Sequence, residues 1–299
     1  MKRKTKLSFL LLVSVFLAFG NIYAQETAKE ALDKGIEYLN KADYDRAISY
    51  FAKAIDVDSA YVTEFYRPKN SPKTIQAISG FTKAIDINPR NEHAYYVRGF
   101  IYSCNINLDQ AISDFNKAIE FNPSFAQAYC YRGNAYLHKE NLALMTKALK
   151  EKLWPSYDYK SKVNFNQAIS DFNKAIGFNP SLTEAYNSLG GAYIDENDYD
   201  QAIASFNKAI ELNPQSMIAY ARRAVAYREK GNLDQAISDY TKAIEVKPDI
   251  AHLYEARADL YEKKSDYDKA WADVHKAEEL GAKFIPGLEA LKKASGREK

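Results

Sequence analysis

The chain has 299 residues, with 41 Lys and Arg against 39 Asp and Glu, a formal net charge of +2, and 46% hydrophobic residues. So balanced a charge carries no electrostatic footprint for nucleic acid, whose phosphates call for a basic surface. Two cysteines, Cys104 and Cys130, are too few for a disulfide scaffold, and His93, His138, His252 and His275 have no second ligand at a metal-binding spacing.

At the N-terminus, Lys2, Arg3, Lys4 and Lys6 precede an apolar run from Leu7 to Gly20 and then Asn-Ile-Tyr-Ala. This is the pattern of a secretory signal peptide over residues 1–24, with cleavage after Ala24. The 14-residue run is short against the ~20 residues that span a bilayer. The expectation is therefore export through a Sec-type leader to the periplasm, the cell envelope or the medium, with membrane attachment only if the leader is kept. No cysteine follows the run, which argues against a bacterial lipoprotein. Without the four basic residues of the leader the chain holds 37 basic and 39 acidic residues, a net of −2.

Beyond the leader one phrase recurs. It reads AISGFTKAIDINP at Ala77 to Pro89, AISDFNKAIEFNP at Ala111 to Pro123, AISDFNKAIGFNP at Ala168 to Pro180, AIASFNKAIELNP at Ala202 to Pro214 and AISDYTKAIEVKP at Ala236 to Pro248. The closing prolines stand 34, 34, 57 and 34 residues apart. Alanines seven apart flank a central aromatic, as Ala111 and Ala118 flank Phe115, which is helical spacing along one face. Ahead of each phrase a small residue precedes an aromatic by three positions: Gly99 and Tyr102, Gly133 and Tyr136, Gly190 and Tyr193, Ala224 and Tyr227, Ala258 and Tyr261. These predict a first helix for each phrase. Turn residues such as Asn107, Asp198, Gly231-Asn232 and Asp266 join it to the second helix. The proline closes the unit because it is excluded from a helix interior but tolerated in a first turn. A helical pair repeated at ~34 residues cannot bury its apolar face alone and must stack on copies of itself.

These motifs resemble the tetratricopeptide repeat, over about residues 28 to 284. Seven units are expected: 28–61, 62–91, 92–125, 126–182, 183–216, 217–250 and 251–284. The second is short and degenerate, with Pro68 and Pro72 where its first helix finishes, so that helix is expected to be brief or irregular. The fourth carries an insertion at about 143–165. Its Leu142, Met145, Leu149 and Leu153 form a helical stripe, and Trp154, Tyr157 and Tyr159 are candidate contact residues among lysines. Residues 285–299 read as a capping helix and tail. The resemblance implies an all-α fold, a right-handed superhelical solenoid of antiparallel helix pairs.

The resemblance also implies a concave groove lined by the first helices, in which a protein or peptide partner lies. Its candidate contact residues are Tyr96, Phe100, Gln127, Asn134, Asn187, Arg222, Arg228, Glu255 and Asp259. Along this face the side chains grade from aromatic and neutral to acidic, which suits a peptide with an apolar stretch followed by basic residues. Relatives that hold the C-terminal carboxylate of heat-shock chaperones use lysine, asparagine and arginine. Here Asn134 and Arg222 match, but Cys130, Ser188 and Ile218 replace the other members, so that clamp is mostly absent.

The tyrosines at 95, 129, 186, 220 and 254, and at 102, 136, 193, 227 and 261, are expected to fill the core. Cys104 lies about eight residues further along its helix than Cys130 does, ~12 Å of axial offset, so the two are expected as free groove-side thiols. No Gly-rich phosphate loop, nucleophile elbow or paired-cysteine zinc motif occurs, so no enzyme, cofactor or metal is expected. The sequence points to a non-catalytic, exported interaction scaffold that helps assemble or position a cell-envelope complex. A membrane-tethered adaptor and a glycan- or peptidoglycan-binding accessory are the alternatives. Partner identity and oligomeric state stay open.

Overall fold

Ala111, Phe115 and Ala118 share one helical face by spacing alone, and all three are fully buried in the protein. The computed structural model describes residues 25–68, 71–150 and 165–282. Among the described residues it is all helix, with no strand. The helices are α1 (25–40), α2 (Tyr44–Tyr66), α3 (Pro72–Ile87), α4 (Glu92–Cys104), α5 (Leu108–Phe121), α6 (Ala126–Lys150) and α7 (Asn166–Phe178). There follow α8 (Thr183–Asp195), α9 (Tyr199–Leu212), α10 (Met217–Glu229), α11 (Leu233–Val246), α12 (Ala251–Lys263) and α13 (Tyr267–Glu279). The described residues form two compact units, 25–188 and 189–282. The leader, most of the insertion with Trp154, Tyr157 and Tyr159, and the expected cap lie outside the described residues.

Consecutive helices pair, α4 with α5, α6 with α7, α10 with α11 and α12 with α13. Close approach is what the small residues provide. A β-carbon on Gly133 would lie 2.7 Å from the Phe172 ring, and one on Gly190 would lie 2.7 Å from Phe206. In the seventh unit the ring position is Val274, and Ala258 is tolerated opposite it, both buried.

The Asn-Pro ending has a physical cause. Asn122 closes α5 by donating its N–H to the Ala118 carbonyl at 2.9 Å, then turns to φ −133°, ψ 88°, the extended region that a following proline enforces. Its Oδ1 accepts from the Ser124 N–H at 3.2 Å and bridges the proline, which has no N–H to give. Asn179 and Asn213 repeat the arrangement. The first-to-second turn within a unit needs one left-handed residue, filled by Ile106, Asn197, Gly231 and Ser265 at φ 58°, 62°, 79° and 60°. In the fourth unit the equivalent residue is Glu140, and α6 does not turn there but runs on to Lys150. The start of the predicted stripe is thus a continuation of a first helix, with Leu142 and Met145 exposed.

The first phrase, AISYFAKAIDVDS, lacks its proline, and the consequence is visible. Helix α2 runs through to Tyr66, broken only at Asp58, φ −153° and ψ 86°. Asp58 caps the second stretch by accepting from the Tyr61 N–H at 2.9 Å. The brief stretch packs on α4: buried Asn105 donates to the Tyr66 carbonyl at 3.2 Å, and the Cys104 thiol lies 3.8 Å from the Thr63 hydroxyl.

An arginine on the first helix spans to a buried aspartate on the second in four units. Arg98 pairs with Asp114, Arg132 with Asp171, Arg223 with Asp239 and Arg257 with Asp273, each at 2.6 to 2.7 Å. The same guanidinium reaches the preceding unit, where Thr82, Asn116, Asn207 and Thr241 accept. Tyrosines flank it: Tyr95 and Tyr102 lie 5.7 and 6.0 Å from the Arg98 guanidinium carbon. Of the tyrosines expected in the core, Tyr129 and Tyr254 are buried, and Tyr95, Tyr102, Tyr220, Tyr227 and Tyr261 pack half-buried against it. Most of them are half-buried beside an arginine, since a polar pair on this side needs an aromatic cover rather than an apolar interior.

Candidate ligand-binding site

Four helices of residues 25–188 converge on one carboxylate. Asp56 stands two residues before the break in α2. Around it are His93 of α4, Gln127 and Tyr131 of α6 and Glu184 of α8. Burial against these helices pushes the Asp56 carboxyl up to about 6, and the negative Glu184 adds to the rise, while His93 and Gln127 act against it. Asp56 is exposed and, with Asp45 and Lys53, lines a cleft of about 560 Å³ between Ile48, Ala52 and Val57 of α2 and the start of α4 at Asn91 and His93.

In the same unit two polar atoms are buried with no hydrogen-bond partner among the described residues, the Tyr96 hydroxyl and Asn187 Oδ1. Tyr96 is 1% exposed, and its hydroxyl feels Tyr131, Asp56 and Glu184. Its ring sits 5.0 Å from Phe125 and 5.9 Å from Tyr131, and Phe125 is 4.8 Å from His93. An unpaired buried hydroxyl is a standing penalty of about 1–3 kcal/mol, so its retention asks for a reason.

The expected groove residues are distributed as follows. Tyr96 and Phe100 are core residues rather than an open surface: α6 closes over them, with Tyr131 edge-on to Phe100 at 5.0 Å. Gln127 reaches Asp56, Asn134 is half-buried, and Asn187 carries the second unpaired atom. Within 189–282, Arg222 is exposed and lies across the face of Gly191. Arg228 pairs with Glu229 at 2.7 Å and Asp259 with Lys263 at 2.9 Å, while Glu255 is half-buried. The acidic residues there are thus largely matched by cations on their own helices. Cys130 is buried and Cys104 half-buried, both as free thiols. Asp56 was missed because the same position elsewhere, as in Asp86 and Glu120, reads as an ordinary exposed acid. The signal was the missing proline after it.

Models of the tetratricopeptide repeat match residues 31–61, 183–216 and 218–250, and a further model of the same repeat matches 107–139. The fold is of the tetratricopeptide-repeat class. PilF of Pseudomonas aeruginosa superposes with a TM-score of 0.56 at 18% identity, over 71% of this chain and 88% of that one. YrrB, described as a repeat protein with an unusual peptide-binding site, gives 0.52 at 24% over 71% and 97%. A repeat protein from Parabacteroides merdae gives 0.51 at 21% over 90% and 97%. At these identities the likeness speaks for the fold. No curated protein matches the sequence.

Among the described residues of this repeat protein no group of three or more His, Cys, Asp and Glu is placed to hold a metal, and no helix is long and apolar enough to cross a membrane. What the repeats do bring together is an open cleft of mixed charge, with Asp45, Lys53, Asp56 and His93 on its walls.

Proposed function

We propose that this chain is a non-catalytic interaction scaffold that holds an extended polypeptide against its first helices. The observation that carries the reading is the open cleft of about 560 Å³ between α2 and the start of α4, lined by Asp45, Lys53, Asp56, Asn91 and His93. Peptide binding is described for YrrB; for this chain the reading rests on its own side chains. The leader pattern of residues 1–24 supports export and a task in assembling or positioning a cell-envelope complex.

Selection of displayed peptides on the full chain, followed by amide hydrogen exchange with a selected peptide bound, tests the scaffold. Protection is expected on α4, α6 and the N-terminal half of α8, and protection nowhere on these helices sinks the reading. Export is tested by intact mass of the protein from its own cell. Loss of residues 1–24 is the expected outcome. A full-length mass in the membrane fraction would favour the tethered adaptor.

A further inference from the structure

We infer that the face of α7 bearing Lys174, Gly177 and Phe178, with Tyr129 beside it, is a second docking surface whose occupant is an acidic segment of a protein partner that also carries an apolar side chain. It lies on a second helix, outside the first-helix face of the scaffold reading, and goes beyond that reading.

The repeats serve as controls for one another. Lys117, Lys208, Lys242 and Lys276 hold the same place in their units, and each pairs with a glutamate three residues on, at 2.7 to 2.8 Å. In α7 the lysine is Lys174 and the residue three on is Gly177. Among the described residues Lys174 pairs with no carboxylate, and its ammonium stands 5.5 Å from the centre of the Tyr129 ring. A β-carbon on Gly177 would meet nothing within 4 Å, so no packing inside the protein asks for a glycine there, although glycine is a poor helix former. What the bare backbone does permit is the close approach of another chain.

Positions 174, 177 and 178 share one helical face by their spacing. Phe178 is 49% exposed, and its ring stacks on Tyr129 at 5.7 Å, an apolar step beside the cation. From Lys174 the surface continues along α7 into an open pocket of about 330 Å³ lined by Arg132, Tyr136, Gln167 and Ser170. Asp171 in this pocket is matched by Arg132, whose guanidinium donates to both carboxylate oxygens, so Lys174 is the charge in excess. Where α5, α9 and α11 carry Asp109, Asp200 and Asp234 in their first turns, α7 has Asn166. The acids that other repeats place at both ends of this helix are thus replaced, and the surplus is positive.

Charge complementarity selects an acidic occupant. The apolar step and the bare backbone favour a polypeptide over a lipid surface, which takes a cluster of cations rather than one lysine. A partner carboxylate on Lys174 takes the place of the missing glutamate, while its apolar neighbour covers Phe178 and Tyr129.

The test pans a displayed peptide library on the full chain after depletion on the Gly177→Glu variant, which restores the glutamate of the other repeats. This variant is expected to fold as the parent does, with the same circular dichroism spectrum and a urea midpoint no lower. Surviving peptides are resynthesised with Asp and Glu kept or changed to Asn and Gln, and their affinities are measured by fluorescence anisotropy at fixed salt. Conversion to the amides is expected to cost about fivefold. Lys174→Gln should cost the acidic peptide the same factor and the amide form nothing further, and Phe178→Ser should weaken both. Survivors without acidic residues, or equal affinity for the parent and Lys174→Gln, overturn the proposal. So does an empty selection, and so does binding to phosphatidylglycerol vesicles that Lys174→Gln abolishes, since the face then reads a lipid. Peptides that protect α4 rather than α7 from amide exchange belong to the first-helix face and likewise overturn it.

Discussion

The Arg223 guanidinium donates two hydrogen bonds to the Asp239 carboxylate, at 2.7 and 2.6 Å, and ties the two helices of one repeat together. The side chains are 18% and 6% exposed. Arg223→Leu leaves the carboxylate buried and alone, at an expected loss of about 3–5 kcal/mol. The fifth repeat already shows the alternative, with Leu189 and Ser205 in these two positions and the Ser205 hydroxyl donating to the Gln201 carbonyl at 2.8 Å. The double variant Arg223→Leu with Asp239→Ser is therefore expected to recover most of the loss in urea unfolding. Losses that simply add would show that the pair is not coupled.

Ile106 holds the left-handed turn at φ 58° although it is β-branched, and it is 62% exposed, so packing does not compensate the strain. Gly231 serves the same turn at φ 79°. Ile106→Gly relieves the backbone and gives back part of the gain to unfolded-chain entropy, so a net stabilisation of about 0.5–1 kcal/mol is expected. A higher urea midpoint at unchanged slope is the signature, and a lower midpoint refutes the strain.

The pH dependence follows from Asp56. Its carboxyl is raised in the folded protein from 3.8 to about 6, so between these values the folded state binds the proton more tightly than the unfolded one. Its contribution to stability is present at low pH, declines as pH rises through that window and is flat above it. Asp56→Asn should remove this slope. A carboxyl resonance of Asp56 titrating near 4 would contradict the burial.

Burial pushes the Cys104 thiol up to about 12 and Cys130 higher still, so neither is an effective nucleophile near neutrality. A disulfide reagent at pH 8 should titrate two thiols rapidly after unfolding and react slowly with the native protein. Rapid reaction of the native chain at either thiol would show that its helix opens.

Much of this was legible in the sequence because the repeat is local. Ala111, Phe115 and Ala118 fix a buried face by spacing, Asn122-Pro123 fixes a helix end, and Pro68 and Pro72 marked the brief helix of the second unit, which ends at Tyr66. The candidate site was read less well. Tyr96 and Phe100 stand on the expected first helix, α4, but their exposure depends on whether the next first helix closes over them, and α6 does.

The chain alone thus determined the all-helical repeat class, the helix pairs and their ends, because these follow from contacts within ~34 residues and from backbone chemistry that proline and glycine dictate. Only the tertiary structure decided the rest. That Asp56 lines a cleft between α2 and α4, that the tyrosine rows flank arginines, and that Arg223 finds Asp239 are matters of which helices stack and how closely. Those distances arise from packing between elements that are far apart in the chain, which local spacing does not encode.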